Sequence, residues 1–130
     1  MIHYNVVAAV VCHNGKYLCM QKGKTKFEYT SYKWEFPGGK IEPGETPQQA
    51  LARELMEEME YPVEVGEELT TVTHEYPDFS ITMTAFLCTP KAEANGFKRK
   101  EHADSKWCCK KELQGLDWAA ADVGVVESIL

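Results

Sequence analysis

Three glutamates, Glu54, Glu57 and Glu58, lie close together in a segment whose other residues predict a helix. At about 100° per residue they share one face, at spacings i, i+3 and i+4. Like charges this close repel each other, and no lysine alternates with them. Clustered carboxylate oxygens suit Mg²⁺ or Mn²⁺ and do not suit Zn²⁺. The cluster therefore indicates a divalent-metal site, with a solvated acidic helix face as the alternative.

The helix that carries these glutamates is predicted over residues 46–59. Thr46 is a suitable N-cap, Pro47 fits the first helical position, and Gln49 completes a capping box. The face opposite the glutamates is apolar, which predicts packing against a core; it consists of Leu51, Ala52, Leu55, Met56 and Met59. A Gly-rich turn at residues 37–39 precedes the helix and could bring backbone carbonyl oxygens to the same site.

Strand signals dominate the rest of the chain. Asn14 and Gly15 predict a hairpin, because both residues tolerate positive φ. Polar segments at 22–33, 40–45 and 92–104 are predicted as loops, and short helices are expected at 110–113 and 120–129. We predict strands at 4–11, 16–21, 34–36, 63–65, 69–76, 80–89 and 107–109. Many strands with few helices indicate an α+β fold.

Composition narrows the protein class. The 130 residues suit a single domain spanning residues 1–130, and 44% are hydrophobic, enough for a core. No apolar run approaches the roughly 20 residues of a membrane span, and the first residues lack a signal-peptide pattern. Five cysteines without C-x-x-C pairs disfavour disulfide and zinc sites. We expect a cytoplasmic monomer or homodimer that contacts no membrane. The net charge of −6 disfavours duplex nucleic acid, and means that a polyanionic substrate needs metal ions or a local lysine cluster.

A longer pattern surrounds the glutamates. Gly39, five residues, Glu45, seven residues and then Arg53-Glu54-Leu55-Met56-Glu57-Glu58 resemble the Nudix box, the signature of the Nudix hydrolases. Residues 34–42 and 74–77 extend the resemblance to the MutT branch of that family. One position departs from the pattern: Glu60 stands where the family has a helix-closing glycine, so we expect left-handed backbone there at a cost in stability. The resemblance implies a Nudix fold, a mixed β-sheet sandwiched between helices.

The resemblance also implies roles for the box residues. Glu57 and Glu58 would ligate the metal, and Glu54 would be a further ligand or an orienting base. Gly39, or Gly38 beside it, would offer a backbone carbonyl to the same metal. Arg53 resembles the orienting arginine of the family and is expected to pair with a glutamate of the preceding loop, Glu45.

A fourth carboxylate comes from a later loop. Glu101 lies six residues before Trp107, where the MutT branch has an acidic residue that enters the site. It would be either a further metal ligand or the general base for the attacking water. The alternative is one more charge in a polar loop.

Four residues are candidates for substrate binding. Lys22 and Lys40 could neutralise phosphate oxygens, although each could equally be a solvated lysine. Phe36 is a core residue that could also stack on a base. Asp122 lies where the MutT branch reads the base, and where its guanine-specific members carry Asn. An ionised Asp only accepts hydrogen bonds, which suits an amino group such as cytosine N4. The alternative is an acid that favours the start of a helix.

The implied reaction is the Mg²⁺-dependent hydrolysis of a nucleoside triphosphate to a monophosphate and pyrophosphate, with Mn²⁺ as a substitute. Cytidine-type nucleotides (CTP, dCTP or modified dCTP) would be the substrates, in a house-cleaning role. One alternative is an 8-oxo-dGTP diphosphatase, against which Asp122 counts, and another is an enzyme that cleaves dinucleoside polyphosphates or nucleotide sugars. An alternative of another class is a non-catalytic nucleotide-binding Nudix module, but such modules typically lose acids that this chain retains.

Overall fold

The computed structural model describes residues 1–130 and contains seven strands and three helices. The strands are β1 (Ile2–His13), β2 (Lys16–Lys22), β3 (Trp34–Glu35), β4 (Gly38–Lys40), β5 (Val63–Glu75), β6 (Phe79–Pro90) and β7 (His102–Cys108). The helices are α1 (Pro47–Met59), α2 (Lys110–Leu113) and α3 (Ala120–Ile129). None of these helices is long and apolar enough to cross a membrane.

The long first strand organises one mixed sheet in the order β3-β2-β1-β6-β5, with β4 added on β1 and β7 on β2. Most of β1 runs parallel to β6, while its last residues form an antiparallel hairpin with β2. The hairpin turn uses Asn14 and Gly15, both with positive φ, as the sequence predicts. The α+β class is therefore confirmed, and the sheet contains parallel and antiparallel pairs.

Helices cover both faces of this sheet. Alternate residues of β1 point to opposite faces, so Val7 packs in the core beneath α1 while Ala8 packs in the core beneath α3. The fully buried residues of α1 on its side are Ala50, Leu51, Leu55 and Met59. The sandwich arrangement is confirmed, but Met56 is 47% exposed and does not belong to the core face that the sequence predicts.

Both ends of α1 form as the sequence predicts. The Gln49 backbone N–H donates to Thr46 Oγ1 at 3.1 Å, and the Thr46 N–H donates to Gln49 Oε1 at 2.9 Å, which is the reciprocal capping box. At the other end Glu60 has φ 48° and ψ 42°, the expected left-handed conformation. Its carboxylate lies 2.8 Å from Lys100 and 3.3 Å from Lys98, and both lysines lower the pKa of Glu60.

Most strand ends lie one or two residues from the predicted positions, and three differences are larger. Residues 63–65 and 69–76 belong to one strand, β5, whose register shifts on either side of Glu68. The strand β7 begins at His102, inside the predicted loop 92–104. The turn at residues 37–39 continues into β4, which pairs with β1 so closely that a Cβ on Gly38 would overlap the Val7 carbonyl. Glycine is required there by the close approach of two backbones, which a turn signal alone does not reveal.

Candidate active site

Arg53 ties the loop before α1 to the carboxylates on the helix. Its guanidinium donates to both oxygens of Glu45, at 2.6 and 2.9 Å, and to the Lys40 carbonyl at 3.0 Å. The same group donates to Glu54 at 2.9 Å and to Glu57 at 3.1 Å. The bidentate pair lowers the pKa of Glu45 to about 2 and keeps Arg53 charged. The predicted Arg53–Glu45 pair is present, and it also fixes two of the helix carboxylates.

Glu54 and Glu58 are partly buried, unlike Glu57 on the same helix face. Glu54 lies so close to Gly39 that a Cβ at that position would overlap its carboxyl group. Burial, together with the negative charges of Glu54, Glu35 and Glu101, raises the pKa of Glu58 to about 8. A nearby cation would stabilise the charged form of this carboxylate. We refer to Glu54, Glu58 and Glu101 as the acidic cluster.

Glu57 and Glu101 lie at the edges of this arrangement. Glu57 is 60% exposed and bonds to Arg53, on the outer side of the helix face. Glu101 is exposed at the end of the loop before β7, yet its charge acts on Glu58 and it lines the same cleft. The structure therefore brings Glu101 close to Glu58, which lies 43 positions earlier in the chain.

The backbone pairing of β4 distinguishes the two candidate glycine carbonyls. Partners in an antiparallel ladder alternate between hydrogen-bonded and non-hydrogen-bonded pairs. The Ala9 N–H donates to the Pro37 carbonyl and the Ile41 N–H to the Asn5 carbonyl, so the intervening pair, Val7 with Gly39, is also a bonded one. The Gly38 carbonyl consequently points away from β1, on the edge where the Lys40 carbonyl meets Arg53. Of the two glycines, Gly38 has the carbonyl that is free to meet a ligand.

A cleft of about 850 Å³ connects the acidic cluster to an apolar interior. Glu58, Glu101 and the glycines of β4 line one part of it. Phe36, Asp122 and side chains of β6 line another part. Its volume lies within the range typical of small-molecule sites.

Asp122 lies on the wall of this cleft and is only 2% exposed. Its Oδ1 accepts a hydrogen bond from the Phe36 backbone N–H at 3.0 Å. The segment before α3 pairs with β3 through Trp34 and Trp118, which brings the start of α3 next to Phe36. Burial, helped by the charge of Glu35, raises the pKa of Asp122 to about 8. An exposed acid at a helix start would have neither this burial nor this distant partner.

The two candidate lysines have different surroundings. Lys40 lines the cleft with its Nζ 4.1 Å from the centre of the Tyr4 ring, and it forms no ion pair. Lys22 also lines the cleft, but its Nζ lies 3.6 Å from Glu35 Oε1. Phe36 stacks on Trp118 with ring centres 4.8 Å apart, so it belongs to the core and lines the cleft as well.

Glu35 and His102 are two residues of the cleft that the sequence did not single out. His102 Nε2 lies 3.0 Å from Glu35 Oε2, and both residues line the cleft between the groups already described. Glu35 directly precedes Phe36, and His102 directly follows Glu101. Adjacency to two candidate site residues was the available signal, but nothing in the sequence pairs residues that are 67 positions apart.

The NUDIX domain model matches residues 3–128, nearly the whole chain. The chain belongs to the Nudix hydrolase family. The CTP pyrophosphohydrolase of Escherichia coli K12 is 33% identical over 125 residues, covering 96% of this chain and 90% of that protein. The 8-oxo-dGTP diphosphatase of Proteus vulgaris is 42% identical over 87 residues, covering 65% of this chain and 75% of that protein.

Solved structures agree with this assignment. The solution structure of the E. coli ORF135 protein superposes with a TM-score of 0.82 at 32% identity, covering 99% of this chain and 89% of that one. The predicted Nudix fold and the MutT-like resemblance are therefore confirmed. Nudix hydrolases act on nucleotide substrates and generally need a divalent metal.

The acidic cluster of this Nudix domain has the chemistry for such a metal. Its carboxylates and the Gly38 carbonyl are hard oxygen donors, and burial together with the neighbouring carboxylates raises the pKa of Glu58. No three His, Cys, Asp or Glu side chains converge closely enough to hold an ion among themselves. Mg²⁺ usually keeps several waters and is held by one or two carboxylates plus substrate phosphates, so this open arrangement fits it.

Proposed function

We propose that this Nudix domain is a Mg²⁺-dependent nucleoside triphosphate pyrophosphohydrolase that releases a nucleoside monophosphate and pyrophosphate. We further propose a cytidine-type nucleotide (CTP, dCTP or modified dCTP) as its substrate. One observation supports the proposal most strongly: a single cleft joins Glu58 and Glu101 of the acidic cluster to the wall formed by Phe36 and Asp122. A site for metal-bound phosphates and a partly apolar site for a base are what a nucleoside triphosphate requires.

Each candidate residue has a role in this proposal. Glu54, Glu57, Glu58 and Glu101, with a backbone carbonyl of Gly38 or Gly39, would hold the metal. When bound, Mg²⁺ neutralises charge on the phosphates and lowers the pKa of a bound water. Arg53 holds Glu54 and Glu57 in place.

Other side chains would accept the proton and contact the phosphates. Either Glu54 or Glu101 accepts the proton of the attacking water, and family resemblance favours attack on the β-phosphorus. Lys40, which forms no ion pair, would contact a phosphate oxygen, whereas Lys22 would act on the substrate only together with Glu35.

The burial of Asp122 changes the argument about the base. An ionised carboxylate only accepts hydrogen bonds, which favours an amino group such as cytosine N4 over the keto oxygen of uracil. Because the pKa of Asp122 is raised to about 8, the neutral acid predominates at pH 7 and can also donate. The neutral form accommodates cytosine, accepting from N4 and donating to N3, but it also tolerates a keto base. The same observation therefore supports 8-oxo-dGTP as the second candidate, in agreement with the named similarity to 8-oxo-dGTP diphosphatases.

The test compares kcat/KM for CTP, dCTP, UTP, dGTP and 8-oxo-dGTP at pH 7 and pH 9, in the wild type and in Asp122→Asn. Ratios between substrates cancel pH effects that are common to all of them. We expect CTP to exceed UTP by roughly ten- to a hundred-fold at pH 9, where one acceptor would face another, and by less at pH 7. Asp122→Asn supplies a permanent donor, so its ratio should be small and independent of pH.

Each contrary result identifies a different error. A preference for 8-oxo-dGTP at both pH values would replace the cytidine assignment. A CTP/UTP ratio that Asp122→Asn leaves unchanged would show that the base is read elsewhere. Absence of pyrophosphate from every triphosphate would favour a non-catalytic nucleotide-binding module. The expectations of a cytoplasmic location, of a monomer or homodimer, and of no duplex nucleic acid partner stay predictions.

A further inference from the structure

His102 occupies a position that packing alone does not explain. Its side chain is only 5% exposed, and its Nε2 bonds to Glu35 Oε2 at 3.0 Å. Its Nδ1 is buried and has no hydrogen-bond partner. A buried polar atom without a partner costs stability, so an apolar side chain of similar size would suit this position better on stability grounds alone. The bond to Glu35 is the one feature that requires a histidine.

An irregularity in β7 directs this side chain to Glu35. Gln21 of β2 pairs with Asp104, but the next residue, Lys22, pairs with His102, so Ala103 is an extra residue on β7. Side chains alternate along a strand, and one extra residue reverses the faces of those beyond it. If Ala103 paired regularly with Lys22 instead of forming a bulge, His102 would face the α3 side of the sheet.

The bulge brings together side chains from three strands. Met20 of β2 packs beneath α1 and pairs with Glu35 of β3, so Glu35 and Lys22 face that same side. Glu35 consequently lies between Lys22 Nζ, at 3.6 Å, and His102 Nε2, at 3.0 Å. We call Lys22, Glu35 and His102 the strand triad.

The strand triad adjoins the acidic cluster. Glu35 and His102 line the same cleft as Glu58 and Glu101. Glu101 is exposed and lies at the end of a loop. The next residue is His102, whose side chain is held by its hydrogen bond to Glu35. The anchoring of His102 to β3 thus limits where Glu101 can move.

We propose that His102 is a positioning residue whose bond to Glu35 fixes the start of β7, so that the adjacent Glu101 carboxylate is held beside Glu58. This role rests on the proposed function, in which Glu101 ligates the metal or accepts a proton from the attacking water. In this role His102 acts through Glu35 and Glu101.

Two substitutions separate the hydrogen bond from the fold. His102→Leu removes both the donor and the unpaired nitrogen, whereas His102→Gln keeps an N–H near the position of Nε2. We expect His102→Leu to lower kcat roughly 10- to 100-fold, with an unchanged KM for the nucleotide and a melting temperature that does not fall. His102→Gln should retain most of the wild-type kcat. His13→Leu, at the end of β1 outside the cleft, is the matched control and should behave as the wild type.

A double-mutant cycle with Glu101→Gln tests whether His102 acts through Glu101. If it does, His102→Leu should have little further effect on kcat once Glu101 is already Gln. Mn²⁺ affinity, measured by electron paramagnetic resonance without nucleotide, provides a second cycle that needs no turnover. His102→Leu should weaken Mn²⁺ binding in the wild type and not in Glu101→Gln.

The proposed function and the positioning role can fail separately. If the wild type is active but His102→Leu lowers kcat by the same factor in both backgrounds, or lowers the melting temperature in step with kcat, the positioning role is wrong. If the wild type releases no pyrophosphate, the proposed function fails and the Mn²⁺ cycle alone decides. Equal Mn²⁺ affinity of the wild type and His102→Leu would then overturn the positioning role.

Discussion

Asp122→Asn should stabilise this protein, and the gain should grow with pH. In the wild type, burial raises the pKa of Asp122 from 3.8 to about 8. The unfolded chain therefore releases this proton near pH 4, while the folded chain keeps it up to about pH 8. Because the folded state binds more protons across that window, the wild type loses stability as pH rises through it. Asn keeps an acceptor for the Phe36 N–H and has no charge to desolvate.

The magnitude follows from the size of the pKa shift. One pH unit corresponds to about 1.4 kcal/mol of differential stability. At pH 7, about three units above the unfolded pKa, Asp122→Asn should gain about 4 kcal/mol over the wild type. For a chain of this length, that gain corresponds to a melting temperature higher by roughly 15 °C. At pH 5 the difference should be about a third as large.

The assay is thermal or urea unfolding of both proteins at pH 4, 5, 6, 7, 8 and 9. Every other titrating group is common to the two proteins, so only the difference between them reports on Asp122. The difference should widen up to about pH 8 and then stay constant. A difference that does not depend on pH, or a less stable Asn variant at pH 7, would refute the raised pKa and with it the neutral carboxyl in the base site.

Two other substitutions test the acidic face and the C-terminal end of α1. Glu57→Gln should abolish Mg²⁺-dependent hydrolysis without unfolding the protein, because that side chain is solvent-accessible. The control is Glu64→Gln, at an exposed position of β5, which should keep full activity. A folded Glu57→Gln variant with normal turnover would exclude Glu57 as a metal ligand. Glu60→Gly should raise the melting temperature by roughly 3 °C without changing kcat, because glycine relieves the left-handed backbone. Glu60→Gln keeps that backbone but, like Glu60→Gly, loses the ion pairs with Lys98 and Lys100, so a melting temperature for Gly no higher than for Gln would show that the left-handed backbone carries no strain to relieve.

Local signals predicted the features of this fold that depend on neighbouring residues. The helix α1 begins where Thr46, Pro47 and Gln49 indicate, and the first hairpin turns at Asn14 and Gly15. The left-handed backbone at Glu60 was expected from the resemblance to the Nudix box, which has a helix-closing glycine at that position. Each of these features is determined within a few residues, so the sequence contains the whole reason for it.

Features that depend on distant partners were not predicted. Gly38 lies in a strand only because Val7 approaches it, and His102 faces Glu35 only because Ala103 is a bulge opposite β2. The neutral form of Asp122 depends on burial by several elements, so residue type alone suggested a charged acceptor. Tertiary contacts of this kind set both the geometry of a site and its protonation, and a single sequence does not specify them.

The acidic cluster and Asp122 also indicate a stability cost at the site. Glu58 and Asp122 both have a pKa raised to about 8, mainly by burial. Residues of this kind destabilise a fold at neutral pH, and proteins retain them where activity needs them. The same cleft therefore contains the residues that the proposed chemistry uses and those that stability alone would replace.

The most direct test of the central claim is product analysis of CTP hydrolysis in ¹⁸O-labelled water, with and without Mg²⁺. The wild type should convert CTP to CMP and pyrophosphate only when Mg²⁺ is present, with the label in pyrophosphate as expected for attack on the β-phosphorus. Label in CMP would move the attack to the α-phosphorus without changing the products. Release of CDP and inorganic phosphate, or hydrolysis that persists in excess chelator, would contradict the assignment of a metal-dependent pyrophosphohydrolase.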